Sequence, residues 1–238
     1  MSGVPEAVWA VVPAAGQGVR MGRKKQGLML AGLPVLRWTL DVFEATAGVS
    51  GVVVTVPADD LDSWQRRLAG CRKVRAVVAG GAERQESVRL GLEAVPVDVA
   101  WVAVHDGVRP CITPELVERV IAEARLHGAA IAALPVIETV KRGMDGWVKE
   151  TVERDGLWAV QTPQVFGAAA LREAHRRAAA EGVRGTDDAA LVERLGHPVR
   201  LVPGLPENVK ITRPDDLVLA EALLARRAAA EERSAGDR

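Results

Sequence analysis

Apolar residues along this chain follow two rhythms. Short β-branched or alanine-rich runs stand at "AVWAVV" (7–12), "GVVVTV" (51–56), "VRAVVAG" (74–80), "VAWVAVHD" (99–106) and "AAIAALPV" (129–136). They are apolar on successive positions, the pattern of strands covered on both faces. Between them the spacing changes to three and four, as in Leu36-Leu40-Phe43 and Leu116-Val120-Ile121, which predicts helices packed on the sheet. The second helix is expected to start at Thr113-Pro114, an N-cap followed by proline at the first helical position. Strand and helix in alternation predict an α/β fold with a mostly parallel sheet and helices on both faces. No repeat or linker interrupts 1–238, so a single domain is expected, fraying into a polar tail from about 229.

One segment breaks the rhythm. "IETVKRGMDGWVKETVERDGLWAV" (137–160) has two semi-alternating arms around Asp145-Gly146, a hairpin-turn dipeptide. A lone ribbon is marginal in water and needs a surface to pack on. It is either an arm that docks on a second copy or an antiparallel hairpin folded onto its own sheet.

Charge and composition narrow the function. Lys plus Arg equals Asp plus Glu, 31 each, which argues against nucleic-acid binding through a basic surplus. Cys71 and Cys111 have no metal-ligand spacing and read as buried, reduced thiols. The N-terminal apolar run is too short for a signal peptide or a membrane span, so a soluble cytoplasmic protein is expected.

The candidate chemistry begins at "VVPAAGQGVRMGRKKQG" (11–27), a glycine-rich loop with Arg20, Arg23, Lys24 and Lys25, placed directly after the first strand. Ligands of open α/β sheets sit at the carboxyl ends of strands, and successive backbone N–H groups in such loops form anion sites. Gly16, Gly18 and Gly22 are one residue too long for the dinucleotide fingerprint, and no Gly-Lys-Ser/Thr follows. A phosphate cradle is preferred over a solvated surface turn. "VHDGVRP" puts Asp106 at the carboxyl end of the fourth run, either a Mg²⁺ ligand facing phosphates or a helix cap. Arg109 either pairs with Asp106 or binds an anion, and His105 is read as a packed strand-end residue. Lys210, in "ENVKITRPDD", lies in an apolar stretch where an unpaired ammonium is costly, so it needs an anion from a ligand or from the protein. Pro214, Asp215 and Asp216 start the last helix, and Thr186 is expected to cap the one at "GTDDAALVE", with Asp187 and Asp188 in its first turn.

Taken together, "PAAGQGVRMG", "LPVLRWTL", "GGAERQESVRLGL", "HDGVRP", "ETVKR", "TVERDGLWAVQTPQVF", "TDDA" and "ENVKITRPDDL" resemble, in order and over nearly the whole chain, the 2-C-methyl-D-erythritol 4-phosphate cytidylyltransferases of non-mevalonate isoprenoid synthesis. The resemblance implies a Rossmann-like α/β domain with a protruding β-arm used in dimerisation, the arm entering the neighbour's active site. It implies CTP as substrate, its triphosphate held by Arg20 and Lys25, with the backbone of Ala14, Ala15, Gly16 and Gly18 in the loop. Cytosine would be read near Ala14 and Gly81 and by the Ser87 hydroxyl. Asp106 resembles the Mg²⁺-binding acid, with Mn²⁺ suiting the same oxygens. Arg109, Lys210 and, from the partner's arm, Thr139 and Arg154 resemble the residues that hold the polyol phosphate. A ribitol 5-phosphate cytidylyltransferase and a nucleotide-binding module without turnover are the rival readings. This chain departs from the family pattern at Lys24, where a proline is usual, at Gly27, where a tyrosine is usual, and at Ala82, where a polar residue is common.

Overall fold

The computed structural model describes residues 7–16 and 24–236. Eleven strands are described: β1 (Val8–Pro13), β2 (Met29–Leu30), β3 (Leu33–Pro34), β4 (Val49–Val56), β5 (Val74–Ala79), β6 (Trp101–Val104), β7 (Ala129–Pro135), β8 (Val140–Met144), β9 (Trp147–Val152), β10 (Trp158–Gly167) and β11 (Arg200–Pro203). The helices are α1 (Val35–Ala45), α2 (Leu61–Leu68), α3 (Arg84–Glu93), α4 (Pro114–His127), α5 (Ala168–Glu181), α6 (Asp188–Glu193) and α7 (Pro214–Gly236). All five apolar runs are strands. α4 starts as expected, with the Thr113 hydroxyl accepting from Leu116 N and Pro114 leading. α7 continues to Gly236, past the point where a polar tail was expected.

Seven strands form one sheet in the order β11-β7-β10-β6-β1-β4-β5. Alternate residues of each central strand go to opposite faces. Val8, Ala10, Val12, Val52 and Val54 meet α1, α2 and α4 on one side. Val11, Val53, Val102 and Val104 meet α3, α5 and α6 on the other. That double coverage is why these runs lack polar alternation. A third, smaller cluster joins Leu28, Leu30 and Val35 to Ile211, Ala220 and Leu224 of the C-terminal segment. Cys71 and Cys111 are free and buried.

The longest strand, β10, is one that the hydrophobic pattern did not predict. It runs antiparallel to both β6 and β7, because the chain leaves the sheet at the end of β7, makes the ribbon and returns alongside. The ribbon is the isolated β8–β9 pair, turning at Asp145 and Gly146, both with positive φ (52° and 82°), as a type I′ turn requires. It is not hydrogen-bonded to the main sheet, so the reading as an edge hairpin of that sheet is set aside. β10 also carries a register shift between Val160 and Gln164, a bulge that re-aims side chains toward the strand ends.

Two glycines are required by close approach. A Cβ on Gly80 would fall 2.3 Å from Ala15 Cβ, so only glycine lets the loops after β1 and β5 meet. A Cβ on Gly91 of α3 would fall 2.6 Å from Val11 Cγ1. Gly91→Ala is expected to force α3 off β1 and destabilise the fold by about 1–3 kcal/mol; an unchanged urea midpoint would contradict this packing.

Candidate functional site

The loops at the carboxyl ends of β1, β5 and β6 come together at one end of the sheet. The β1 strand continues into its loop through Ala14 N, which donates to Thr55 O at 2.8 Å, and Gly80 N donates to Val56 O at 2.8 Å. Between them opens a cleft of about 250 Å³, lined by Pro13 to Gly16, Lys25, Gln26, Gly81 to Arg84, Ser87, Asp106, Val108 and Lys210. Of the residues expected in the site, Ala14, Ala15, Gly16, Lys25, Gly81, Ser87, Asp106 and Lys210 are therefore gathered here. Gly18 and Arg20 lie outside the described residues. Thr139 and Arg154 are exposed on the ribbon, where the Arg154 guanidinium donates to Ile137 O.

Asp106 is the centre of the cleft's charge. It is 5% exposed, and its Oδ1 accepts from Arg84 Nε at 2.8 Å while its Oδ2 lies 2.8 Å from Lys210 Nζ and 3.5 Å from Arg109 Nε. Burial alone would raise its pKa, but Arg84, Lys210 and Arg109 outweigh it and hold the carboxyl well below the usual carboxylate range. Lys210 thus takes its anion from the protein, and Asp106 is not a helix cap. Arg109 is buried, pairs with Asp106 and donates from Nη1 to Asn208 O at 2.7 Å. It stands behind the acid, outside the residues that line the cleft.

The sequence reading missed Arg84 and His175, and it gave Asp188 too small a part. Arg84 donates from Nη1 to Asp188 Oδ2 at 2.7 Å, and Asp188 Oδ1 lies 2.9 Å from His175 Nε2. Burial disfavours the Arg84 charge, yet Asp188 and Asp106 more than offset this and raise its pKa. Asp188 does stand in the first turn of α6, but it is 1% exposed and serves as the buried partner of Arg84. The cap of α6 is Asp187, whose Oδ1 accepts from Ala190 N at 2.9 Å, in place of Thr186. Both aspartates are adjacent in "TDDA", and only their φ/ψ and the packing of α6 separate the cap from the buried partner. A buried arginine between two acids carries no periodic signal, although Arg84 heads α3 next to the Gly80-Gly81 turn.

The bulge in β10 supports this centre. The Thr162 hydroxyl accepts from Asp106 N at 3.2 Å and lies 3.0 Å from His105 Nδ1. His105 is fully buried with Nε2 3.5 Å from Arg109 O, and burial pushes its pKa down to about 3. A neutral ring with its proton on Nε2 serves both contacts, which agrees with its reading as a packed residue. Gln161 accepts from Leu205 N and, with Thr162 O, from Asn208 Nδ2 at 3.2 and 2.7 Å. These bonds seat the 205–210 loop, and with it Lys210, against the strand ends.

Ser87 accepts from Gly81 N at 3.1 Å and donates to Glu83 O at 3.0 Å, so it shapes the wall opposite the β1 loop. Lys24 and Lys25 divide clearly. Lys25 lines the cleft, whereas Lys24 Nζ lies 2.9 and 2.8 Å from Asp59 and Asp60. A larger cavity of about 840 Å³ lies between α3 and α5, lined by Arg89, Arg172, Arg176 and Arg184 among others. It holds none of the gathered site residues, and Arg172 is spent there on the carbonyls of Leu92, Val95 and Pro96.

His105 has a testable consequence. Its folded pKa lies below the unfolded value of ~6.5, so as pH falls the unfolded chain takes up a proton that the folded chain refuses. Stability is therefore lost from about pH 6.5 down toward 3. Between about pH 6.5 and 5.0 the wild type is expected to lose roughly 2 kcal/mol more than His105→Gln in urea titrations; equal losses would mean that the buried ring protonates in place.

Residues 8–226 match the family model described as 2-C-methyl-D-erythritol 4-phosphate cytidylyltransferase. A protein of that name from Geobacter metallireducens is 48% identical over 228 residues, covering 92% of this chain and 97% of the relative. One from Pelotomaculum thermopropionicum is 46% identical, with 93% and 96% covered. Among solved structures, the 2-C-methyl-D-erythritol 4-phosphate cytidylyltransferase of Thermus thermophilus superposes with a TM-score of 0.74 at 39% identity, over 91% of this chain and 98% of that one. The 4-diphosphocytidyl-2C-methyl-D-erythritol synthase of Anaerococcus prevotii reaches 0.83 at 31% identity, over 93% and 97%.

Proposed function

Because this chain belongs to the 2-C-methyl-D-erythritol 4-phosphate cytidylyltransferase family, we propose that the cleft around Asp106 is where that family's reaction takes place, with each gathered residue in the role below. The protein transfers CMP from CTP to 2-C-methyl-D-erythritol 4-phosphate, a step of the non-mevalonate isoprenoid pathway. The observation that carries the site assignment is the cluster of Arg84, Arg109 and Lys210 on one buried carboxylate, open to a loop that supplies Lys25.

An oxygen of the polyol phosphate attacks the α-phosphorus of CTP; the O–P bond forms as the bond to the bridging oxygen breaks and pyrophosphate leaves. The nucleophile is already an anion, so no general base is needed, and no histidine or cysteine lines the cleft. The obstacle is repulsion between two polyanions, about 4 kcal/mol for two unit charges ~4 Å apart at an effective dielectric near 20. Lys25 and Lys210, with Arg20 from the glycine-rich loop, offset it and stabilise charge gathering on the α-phosphate and leaving group. The backbone of Ala14, Ala15, Gly16 and Gly18 receives the triphosphate, and Gly81 and Ser87 face the base.

Magnesium fits the donors present. Asp106 is an ionised hard oxygen ligand at the cleft, and Mg²⁺ accepts one carboxylate plus substrate phosphates, as does Mn²⁺. When bound, the ion would neutralise phosphate charge. Asp106 would hold it, while Arg84 and Arg109 keep that carboxylate in place.

The ribbon is the partner-facing element of a homodimer. Ile137, Met144, Trp147 and Val148 expose apolar side chains on it, Trp147 to 81%, a surface suited to burial against a second copy. In that assembly Thr139 and Arg154 enter the partner's cleft and hold the polyol phosphate, while Arg109 stays behind Asp106 and keeps that carboxylate in place. We place the enzyme in the cytoplasm, in keeping with its free thiols and nucleotide substrate. No helix among the described residues is long and apolar enough to cross a membrane.

Pyrophosphate release with CTP, Mg²⁺ and 2-C-methyl-D-erythritol 4-phosphate tests the assignment. Lys25→Ala and Lys210→Ala are each expected to lower kcat by roughly a hundredfold; near-normal turnover in both would remove the cleft from the reaction. Release with ribitol 5-phosphate instead would move the acceptor but keep the cleft. Arg154→Ala is expected to raise KM for the polyol phosphate and leave KM for CTP unchanged. Mixing Arg154→Ala with Lys210→Ala protein is expected to restore some activity through hybrid dimers; no restoration would assign the arm to its own subunit.

A further inference from the structure

Lys24 stands one residue ahead of the 3₁₀ turn Lys25–Gly27, and it does not line the cleft. Its ammonium lies between Asp59 and Asp60, at 2.9 and 2.8 Å, with the Lys24 and Asp60 side chains about one-third exposed (31% and 33%). Both acids belong to the short turn Ala58–Asp60 that joins β4 to α2. The other end of the Lys25–Gly27 turn faces the same corner: a Cβ added to Gly27 would come to lie 3.8 Å from Cζ2 of Trp64, a residue of α2. Gln26, between them, is 2% exposed. The turn that presents Lys25 is thus fastened to the β4–α2 corner by the ion pairs of the residue that leads into it.

The backbone at Lys24 explains why such a fastening is useful. Its φ of −65° and ψ of 114° are extended, a region that a lysine shares with many other conformers of a loop. Neither dihedral is imposed by the side chain itself. The two carboxylates, 35 and 36 residues away along the chain, supply the restraint from outside. A pyrrolidine ring would impose nearly the same φ without any charge.

We propose that Lys24 is a positioning residue, clasped by Asp59 and Asp60 so that the turn holds Lys25 toward the triphosphate. This rests on the cleft being the CTP site, as assigned above. The clasp also more than offsets the Lys24 charge, one ammonium against two carboxylates, and makes Lys25 the cation that the turn delivers to the cleft. An exposed pair of this kind contributes little, so the effect on binding is no more than about fivefold.

The test is calorimetric titration of the whole protein with CTP and Mg²⁺, together with steady-state KM and kcat. Lys24→Ala and the double variant Asp59→Asn/Asp60→Asn are each expected to weaken CTP binding about fivefold, although neither aspartate lines the cleft. KM for the polyol phosphate stays at its wild-type value. Lys24→Pro is expected to bind CTP within about twofold of wild type, because the ring restores φ. Raising salt to roughly 0.5 M should erase the advantage of wild type over Lys24→Ala, since the pair is screened, while Lys24→Pro keeps its advantage.

Four outcomes overturn the proposal. If Lys24→Pro binds as weakly as Lys24→Ala, the ammonium itself contacts phosphate. Tighter binding by the double variant would show that the acids hold Lys24 away from the nucleotide. Wild-type binding in all variants would show that the clasp positions nothing. Wild-type protein that binds no CTP would remove the cleft assignment and this proposal with it, whereas wild type that binds while the variants do not differ removes the proposal alone.

Discussion

Asp106 is buried in contact with Arg84, Arg109 and Lys210, and a carboxylate can be taken out of water at that point only with such partners. The dependence runs both ways. Arg109 is itself buried and Arg84 partly so, and each needs an acid to stay charged in the interior. Asp188 supplies the second acid, behind Arg84 and against His175. Three cations then face two carboxylates, and the positive excess lies at the carboxyl ends of the strands. Charges fixed in this way by the fold need little reorganisation when an anion enters the cleft.

Rigid backbone is what makes this cluster possible. Asp106 and His105 follow directly on β6, the central strand flanked by β10 and β1. Thr162 reaches them from the bulge in β10, and Asn208 ties the 205–210 loop to the same bulge. The antiparallel β10 is therefore more than a topological oddity. Its return from the ribbon places a hydroxyl and an amide of its amino half where a parallel strand would have placed its carboxyl end. The ribbon and the cleft are two parts of one excursion of the chain, which connects the exposed apolar ribbon to the ion cluster through β7 and β10.

Much of this was legible from residues. The five central runs, the cap of α4, the hairpin at Asp145-Gly146 and the nearness of Asp106 to the β1 loop follow from local chemistry, and Gly81 and Ser87 from the family resemblance. Glycine before a cleft, proline at a helix start and uninterrupted apolar runs each report a constraint within a few residues. β10 was hidden because "WAVQTPQVFG" contains a proline and alternates polar with apolar positions at its bulge. β2, β3 and β11 were hidden because strands of two to four residues are too short for a period.

The α/β class, the positions of most elements, the loops that line the cleft and the family were all readable along the chain, because each depends on short-range spacing or on motifs kept in order. How the charges pair was settled only by the folded arrangement. Arg84 and Asp188 are 104 residues apart, and Lys24 and Asp60 are 36, distances over which no propensity or period carries information. Which of two neighbouring aspartates caps a helix, and which of two neighbouring lysines faces the cleft, depends on the direction of a side chain. That direction is set by the packing of distant elements, through the cost of leaving a buried charge without its partner.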